Sequence, residues 1–350
     1  MTFTANPSST SEYSMTVSRA GTAEIIPVSG NGSQKQEPAE VLGCLQQAHP
    51  RLPAWFGYDA VGSRLFEQIT TLPNYYLTRV ERGLLRRNAS EIAALSGETI
   101  AELGSGDADK TRLLLASCHG LRRTAYVPVD ISKEALDAAT TTVASELPGI
   151  AITGLWGHYE AGLDWVRAHA SGTTTLALLG ANLGNTTMSE RNALLRRIAH
   201  TLRSDDNLLV SADLRKPTHE FHDAYNDPPG RTAFADFRLN YLTQLNQRFG
   251  SDFDLDHFRP RAHYDPETGL VEGNLYPLRD QTVPIPKLGH TLDLNAGEPL
   301  NVGYSAKFDR EQLVSEAAGH GFDLRAEWVD PQWQYGIFLF HRRTHNKEAR

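Results

Sequence analysis

Between residues 99 and 213 short apolar runs alternate with helical segments, and this alternation constrains the fold more than any other feature. Residues 99–103, 125–130, 150–155, 175–180 and 207–213 read as strands. Residues 111–117, 134–146 and 189–202 read as helices, the second of them capped by Ser132. The runs around Leu176–Leu179 and Leu208–Val210 are continuously apolar, as expected of strands covered on both faces. Repeated β–α units of this kind predict an α/β fold with a doubly wound, mostly parallel sheet.

The alternation stops after Leu214. Residues 215–303 are richer in Asp, Asn, Pro and aromatics, and they hold the turn-forming runs Pro228-Pro229-Gly230 and Asp265-Pro266-Glu267-Thr268-Gly269. Strand and helix signals return at 304–308 and 310–319, and the last two strands, around 324–329 and 335–341, read as an antiparallel hairpin on a sheet edge. At the other end, residues 1–38 are polar and rich in Ser, Thr and Gly, and are expected to form a disordered arm. The first helix is expected from about Pro38. Leu65, Phe66, Ile69 and Leu72 then fall at helical spacing before Pro73. The expected organisation is an arm over 1–38, a sheet domain over 81–214 plus 304–350, and a smaller lobe over 39–80 plus 215–303.

With 34 basic against 42 acidic side chains, the formal net charge is -8, the wrong sign for a duplex-binding surface. The basic cluster Arg82, Arg86 and Arg87 is read as a solvated helix face. Cys44 and Cys118 lie in no CxxC or Cys/His array, which argues against a disulfide framework or a zinc site and suits a reducing cytoplasm. No apolar run approaches the roughly 20 residues that cross a bilayer. His219-Glu220-Phe221-His222 lacks the H-E-x-x-H spacing of a zinc helix, and the Asp254/Asp256 run lacks the glycine and terminal glutamate of a calcium loop. No metal, nucleic-acid or membrane partner is expected.

The sharpest local motif is Ala101-Glu102-Leu103-Gly104-Ser105-Gly106, placed between a strand and a helix. Glycines belong where backbone turns tightly and lets a ligand approach. The third glycine of a dinucleotide fingerprint is absent, its place taken by Asp107-Ala108-Asp109. That disfavours a nicotinamide oxidoreductase. S-adenosylmethionine carries no pyrophosphate and needs no full phosphate cradle. Glu102 before the loop and Asp130 at the end of the next strand suit its sulfonium and its ribose diol.

Two further runs are distinctive: residues 58–70, Tyr-Asp-Ala-Val-Gly-Ser-Arg-Leu-Phe-Glu-Gln-Ile-Thr, and residues 72–81, Leu-Pro-Asn-Tyr-Tyr-Leu-Thr-Arg-Val-Glu. With Glu102–Gly106 and Lys110-Thr111-Arg112, Leu179-Gly180 through Gly184-Asn185, Ala224-Tyr225-Asn226-Asp227 and Ser305-Ala306-Lys307-Phe308, the chain resembles the ergothioneine-pathway L-histidine Nα-methyltransferases. Their relatives include an enzyme that methylates the amine of dimethylallyltryptophan. The likeness spans roughly residues 45–345. It implies a Rossmann-like S-adenosylmethionine methyltransferase sheet with a second, smaller substrate-binding lobe. It also implies a cofactor site at Glu102, Gly104, Gly106, Lys110, Asp130, His158 and Tyr159. Asn185 and Tyr225 would clamp the substrate's carboxylate and amine region, Tyr58 and Tyr75 would form an aromatic pocket, and Ser305 would help hold the ring. Asn185, Tyr75 and Tyr225 are the expected catalytic residues.

Three positions depart from the family pattern. The glutamate that bonds the histidine ring, two residues before the serine, is here Gly303; a methionine facing the ring is here Gly273; and the acidic-aromatic pair at adenine is His158-Tyr159. Gly303 offers no partner for an imidazole N–H, and a buried unpaired donor costs about 1–3 kcal/mol. Two glycines in place of Glu and Met also enlarge the pocket, by on the order of 100 Å³ if nothing collapses. Tyr58, Tyr75, Trp55 or Phe56 would stack on a larger ring, unless Asn274, Asn301 or Tyr304 fills the gap. The expectation is a monomeric methyltransferase of secondary metabolism acting on the α-amine of an aromatic amino acid, tryptophan or a derivative first. Trimethylation of L-histidine to hercynine is the alternative, and an inactive binding module of the same fold the more remote one.

Overall fold

A computed structural model of the chain describes residues 23–28 and 33–343. Strand β1 (Ala23–Pro27) and helices α1 (Ser33–Leu45), α2 (Ala60–Thr70) and α3 (Tyr76–Leu95) come first. The β–α alternation follows as β2 (Thr99–Leu103), α4 (Thr111–Leu121), β3 (Ala125–Asp130), α5 (Lys133–Glu146), β4 (Ala151–Trp156), α6 (Tyr159–His169), β5 (Thr174–Leu178), α7 (Met188–Thr201) and β6 (Asn207–Asp213). The insertion supplies α8 (Thr218–Ala224), α9 (Ala233–Gln244), β7 (Phe258–Asp265), β8 (Leu270–Pro277), β9 (Gln281–Ile285) and β10 (His290–Leu294). The chain closes with β11 (Leu300–Ala306), α10 (Arg310–Gly319), β12 (Phe322–Asp330) and β13 (Tyr335–Arg342).

Eight strands form the main sheet in the order β1-β4-β3-β2-β5-β6-β13-β12. Those from β1 to β6 run parallel, and β13 joins β6 antiparallel. Burial decides this arrangement: every residue of β2, β5 and β6 is buried, so their middles are apolar and the polar residues they carry, such as Glu102 and Asp213, must be bonded. The order reverses between β2 and β5, and ligands bind beyond the carboxyl ends of strands at such a switch point. The β12–β13 hairpin lies at the edge, as its sequence suggests.

Three readings change. Within the stretch expected to be a disordered arm, Ala23–Pro27 pair parallel with β4, from Ala23 opposite Ile152 to Pro27 opposite Trp156. Ile25 packs over Gly154, whose missing side chain makes room for it, and Ile26 packs against the sheet core. Five residues gain a ladder and an apolar face that their own composition does not announce. The first helix begins at Ser33 rather than Pro38. The strand expected at 304–308 is centred earlier, as Leu300–Ala306, because its partner is β8 of the insertion.

The insertion contributes a three-stranded sheet, β11-β8-β7, and the β9–β10 hairpin. An apolar cluster joins Val41, Leu45, Leu52 and Phe56, from the N-terminal piece, to Tyr241, Leu245, Ile285 and Leu300. Asp59 caps α2 by accepting from the Gly62 amide at 2.9 Å, and it also accepts from Asn240 at 2.7 Å and Gln244 at 2.8 Å on α9. One carboxylate thus starts a helix and ties it to the insertion. Among the described residues no helix is long and apolar enough to cross a membrane.

Candidate active site

A cavity of about 100 Å³ lies where the carboxyl ends of the sheet strands meet the insertion. Tyr58, Tyr75, Asn185, Tyr225, Ser305, Gly273 and Gly303, the residues expected to hold substrate, all line it. Trp55 and Phe56 do not: Trp55 donates to Glu40 and meets the His158 ring edge-on, while Phe56 stacks on Phe249 in the core of the insertion. The aromatic wall is built instead by Tyr58, Phe66, Tyr75, Phe234, Phe237 and Tyr241, locked by edge contacts such as Tyr58 on Phe237 at 5.3 Å and Tyr75 on Phe234 at 5.8 Å. Burial drives the Tyr58 and Tyr75 phenols well above their ordinary range, so both stay protonated donors.

Behind Tyr225 lies a polar network that the sequence did not disclose. The Lys307 ammonium donates to the Tyr225 hydroxyl at 2.6 Å and to Ser305 Oγ at 2.9 Å, and pairs with Asp213 at 2.9 Å. Tyr225 and Ser305 lie 2.9 Å apart. Because lysine has donors only, both oxygens accept from it. One of their two hydroxyl protons is spent between them, which leaves one O–H to reach toward the cavity. Asp213 also binds Lys216 at 2.5 Å and the Tyr76 hydroxyl at 2.7 Å. The cluster therefore holds two ammonium groups against one carboxylate. Burial lowers the pKa of Lys307, and Asp213 opposes that shift. The signal available in sequence was the spacing Ser305-x-Lys307, which puts both side chains on one side of the extended chain where β11 ends.

At the glycine loop, Gly104 and Gly106 have φ of 73° and 53°, conformations that favour glycine. A Cβ on Gly104 would sit 2.5 Å from the Tyr159 hydroxyl and 2.6 Å from Asn182 Nδ2, whereas one on Gly106 would meet nothing within 4 Å. The loop is thus packed on one side and open on the other, a form that fits a nucleoside ligand. Asp130, at the end of β3, accepts from the amides of Gly106 and Ser132, each at 2.9 Å. Burial raises its pKa against those two bonds. Glu102 is buried, its oxygens accepting from Thr111 and Tyr126, both at 2.5 Å, and burial pushes its carboxyl up to about 7. It anchors the loop from beneath. Lys110 pairs with Glu81 at 2.5 Å, and Glu81 also accepts from the Gly180 amide at 2.7 Å, joining the cofactor loop to the turn that carries Asn185. His158 precedes α6 and contacts Glu37 at 3.1 Å.

The two pocket glycines face each other across β8 and β11. A Cβ at Gly303 would meet nothing within 4 Å, so that position does open the cavity. At Gly273 the expected space is taken: a Cβ there would lie 3.2 Å from Arg238 Nε. Arg238, on α9, lines the cavity and was missed because a lone arginine at helical spacing reads as a solvated residue. Asn274 and Asn301 do not fill the gap, since they bond each other at 3.0 Å outside the lining, whereas Tyr304 lines it.

Residues 37–342 match the family model described as histidine-specific methyltransferase, SAM-dependent. The chain belongs to this family. It is 38% identical to a histidine N-alpha-methyltransferase of Mycolicibacterium smegmatis over 82% of this chain and 88% of that one. Its identity to a histidine N-alpha-methyltransferase of Mycobacterium tuberculosis is 35%, over 86% and 93% of the two chains. An L-tryptophan methyltransferase of Psilocybe serbica is 24% identical over 81% of this chain and 86% of its own. The family member described here is an S-adenosylmethionine-dependent amino-acid N-methyltransferase with a Rossmann-like sheet.

Proposed function

We propose that the acceptor is the α-amine of an aromatic amino acid with a ring larger or less polar than imidazole. The observation that carries this reading is the six-ring wall around a cavity left open at Gly303, with no carboxylate among its lining residues. An imidazole ring would have to enter in its neutral form, because an imidazolium beside the Arg238 cation would have nothing to neutralise it. Tryptophan or a derivative is the first candidate. The relatives that act on histidine favour the second reading, L-histidine as substrate.

In this reading residues 39–80 and 215–303 form the substrate lobe, and 81–214 with 304–350 the cofactor domain, working as a monomer in the cytoplasm. Gly104, Gly106, Asp130 and Tyr159 hold S-adenosylmethionine, with Glu102 and Lys110 shaping the loop from behind and His158 near adenine. That molecule supplies the methyl group when bound. Asn185 and Tyr225 take the substrate carboxylate, on the amide and on the one hydroxyl proton left free in the Tyr225–Ser305 pair, backed by the net positive charge of the Lys307 cluster. The amine is thereby fixed near Tyr58 and Tyr75. Only the free amine has a lone pair, and desolvation among rings and cations lowers its pKa, so the proton leaves as the substrate enters and no dedicated base is required. Positioning supplies most of the acceleration, and the ring faces tolerate the ammonium charge as methyls accumulate.

The test is methyl transfer from labelled donor to each of the twenty amino acids. Turnover of an aromatic amino acid above histidine supports the proposal. Robust turnover of histidine, with none of tryptophan, tyrosine or phenylalanine, refutes it.

A further inference from the structure

Arg238 is the one fully charged residue among those lining the cavity. It sits four residues after Phe234 and three before Tyr241, so one face of α9 carries the cation and two of the rings. Its side chain is held, not free: Nη2 donates to the Tyr225 carbonyl at 2.6 Å, and the guanidinium lies over the Phe234 ring at 5.1 Å. Neither partner neutralises its charge. Asp227 is the carboxylate it feels most, and both of that residue's oxygens are already committed to the amides of Phe234 and Ala235, at 2.9 and 2.8 Å. Burial pushes the guanidinium pKa down to about 10, which still leaves it protonated at neutral pH.

A buried cation with no carboxylate bonded to it is costly, and an acceptor on a ligand would offset that cost. The position of Arg238 says which end of the ligand does so. The Tyr225 hydroxyl belongs to the Lys307 and Ser305 network, whereas Arg238 is bonded to the Tyr225 carbonyl, lies against Gly273 and shares the cavity with Gly303, the wall expected to meet the substrate's ring. Arg238 occupies the space at Gly273, and its planar fork of donors shares the cavity with the opening left at Gly303.

We propose that Arg238 is a specificity-determining residue that binds an oxygen acceptor on the far end of an aromatic side chain, so that the preferred substrates are hydroxyl- or carboxyl-bearing aromatic amino acids. This rests on the aromatic reading given above and narrows it. The guanidinium discriminates between rings with and without the oxygen, because a ring lacking it leaves a desolvated cation unpaired.

The experiment compares kcat/KM for matched pairs, tyrosine with phenylalanine and 5-hydroxytryptophan with tryptophan, in the wild type and in Arg238→Met, with 4-carboxyphenylalanine as an anionic probe. The wild type is expected to favour the oxygen-bearing member of each pair by about 10- to 100-fold. Arg238→Met is expected to abolish that preference through loss on the oxygen-bearing member, with S-adenosylhomocysteine affinity unchanged. A wild-type ratio near one overturns the proposal while leaving the aromatic reading intact, and this arm needs no folded variant. Equal loss on both members of a pair also overturns it, since Arg238 would then serve the shared α-carboxylate. Turnover confined to histidine overturns both readings together.

Discussion

Lys307→Met isolates the contribution of the buried cluster to substrate binding. The substitution preserves bulk and removes three donated bonds, to Asp213, Tyr225 and Ser305. Asp213 is not orphaned, because Lys216 remains at 2.5 Å and the Tyr76 hydroxyl at 2.7 Å. The stability loss should therefore fall below the 3–5 kcal/mol typical of breaking a buried pair, at about 1–3 kcal/mol. The functional loss is electrostatic. The cluster's formal charge falls from +1, two ammonium groups and one carboxylate, to zero. A substrate carboxylate bonded to the Tyr225 hydroxyl stands one hydrogen bond beyond the 2.6 Å Lys307 contact, or about 5 Å from the ammonium. At an effective dielectric constant of 20, a unit charge at that distance is worth about 3 kcal/mol, or about 100-fold in affinity. Calorimetric titration of the amino acid into enzyme saturated with S-adenosylhomocysteine measures that number, and urea unfolding measures the other. A variant that folds and binds the amino acid within about threefold of wild type would refute the assignment of this network to the carboxylate.

Asn185→Ala should lower kcat/KM by about 100-fold while leaving the thermal midpoint within a few degrees, because Asn185 lines the cavity and its side chain donates a long bond, 3.4 Å, to Asn182. Unchanged kinetics would remove it from the site. Glu102 gives a pH signature. Its carboxyl is raised from 4.5 to about 7 in the folded state, so folding favours the protonated form. That contribution is fully present below the unfolded value and is lost as pH rises from about 4.5 through about 7, by about 3 kcal/mol at most. The stability of wild type relative to Glu102→Gln should decline across that window, and parallel pH profiles would contradict it. Gly104→Ala should weaken S-adenosylhomocysteine binding by about 10-fold or more, since the new methyl needs both a left-handed φ and the displacement of Tyr159 and Asn182. Titration of the spent cofactor reads this directly.

The main sheet was legible because burial on both faces forces unbroken apolar runs, and those runs stand out at residues 176–179 and 208–210. The glycine loop was legible for the same kind of reason, as no other residue adopts its conformation cheaply. The substrate residues were read from the resemblance, and the seven named for the pocket do meet in one cavity. What escaped was everything decided by a distant partner. The strand Ala23–Pro27 exists only because β4 offers an open edge. Arg238 is eclipsed by its helical spacing, and the Gly273 gap reads as empty until α9 is folded over it. Nothing local in Glu81 or Asp213 distinguishes a buried anchor from a surface acid.

Glu81 has a consequence for how this enzyme can change. By gripping the Gly180 amide with one oxygen and Lys110 with the other, it gives the glycine loop proposed to seat the methyl donor and the turn proposed to hold the acceptor a single footing. Positions 238, 273 and 303 hang on separate elements of the lobe, away from that footing. Acceptor preference can therefore drift among descendants of this chain while the methyl donor's seat stays still, whereas any exchange at Glu81 disturbs both at once.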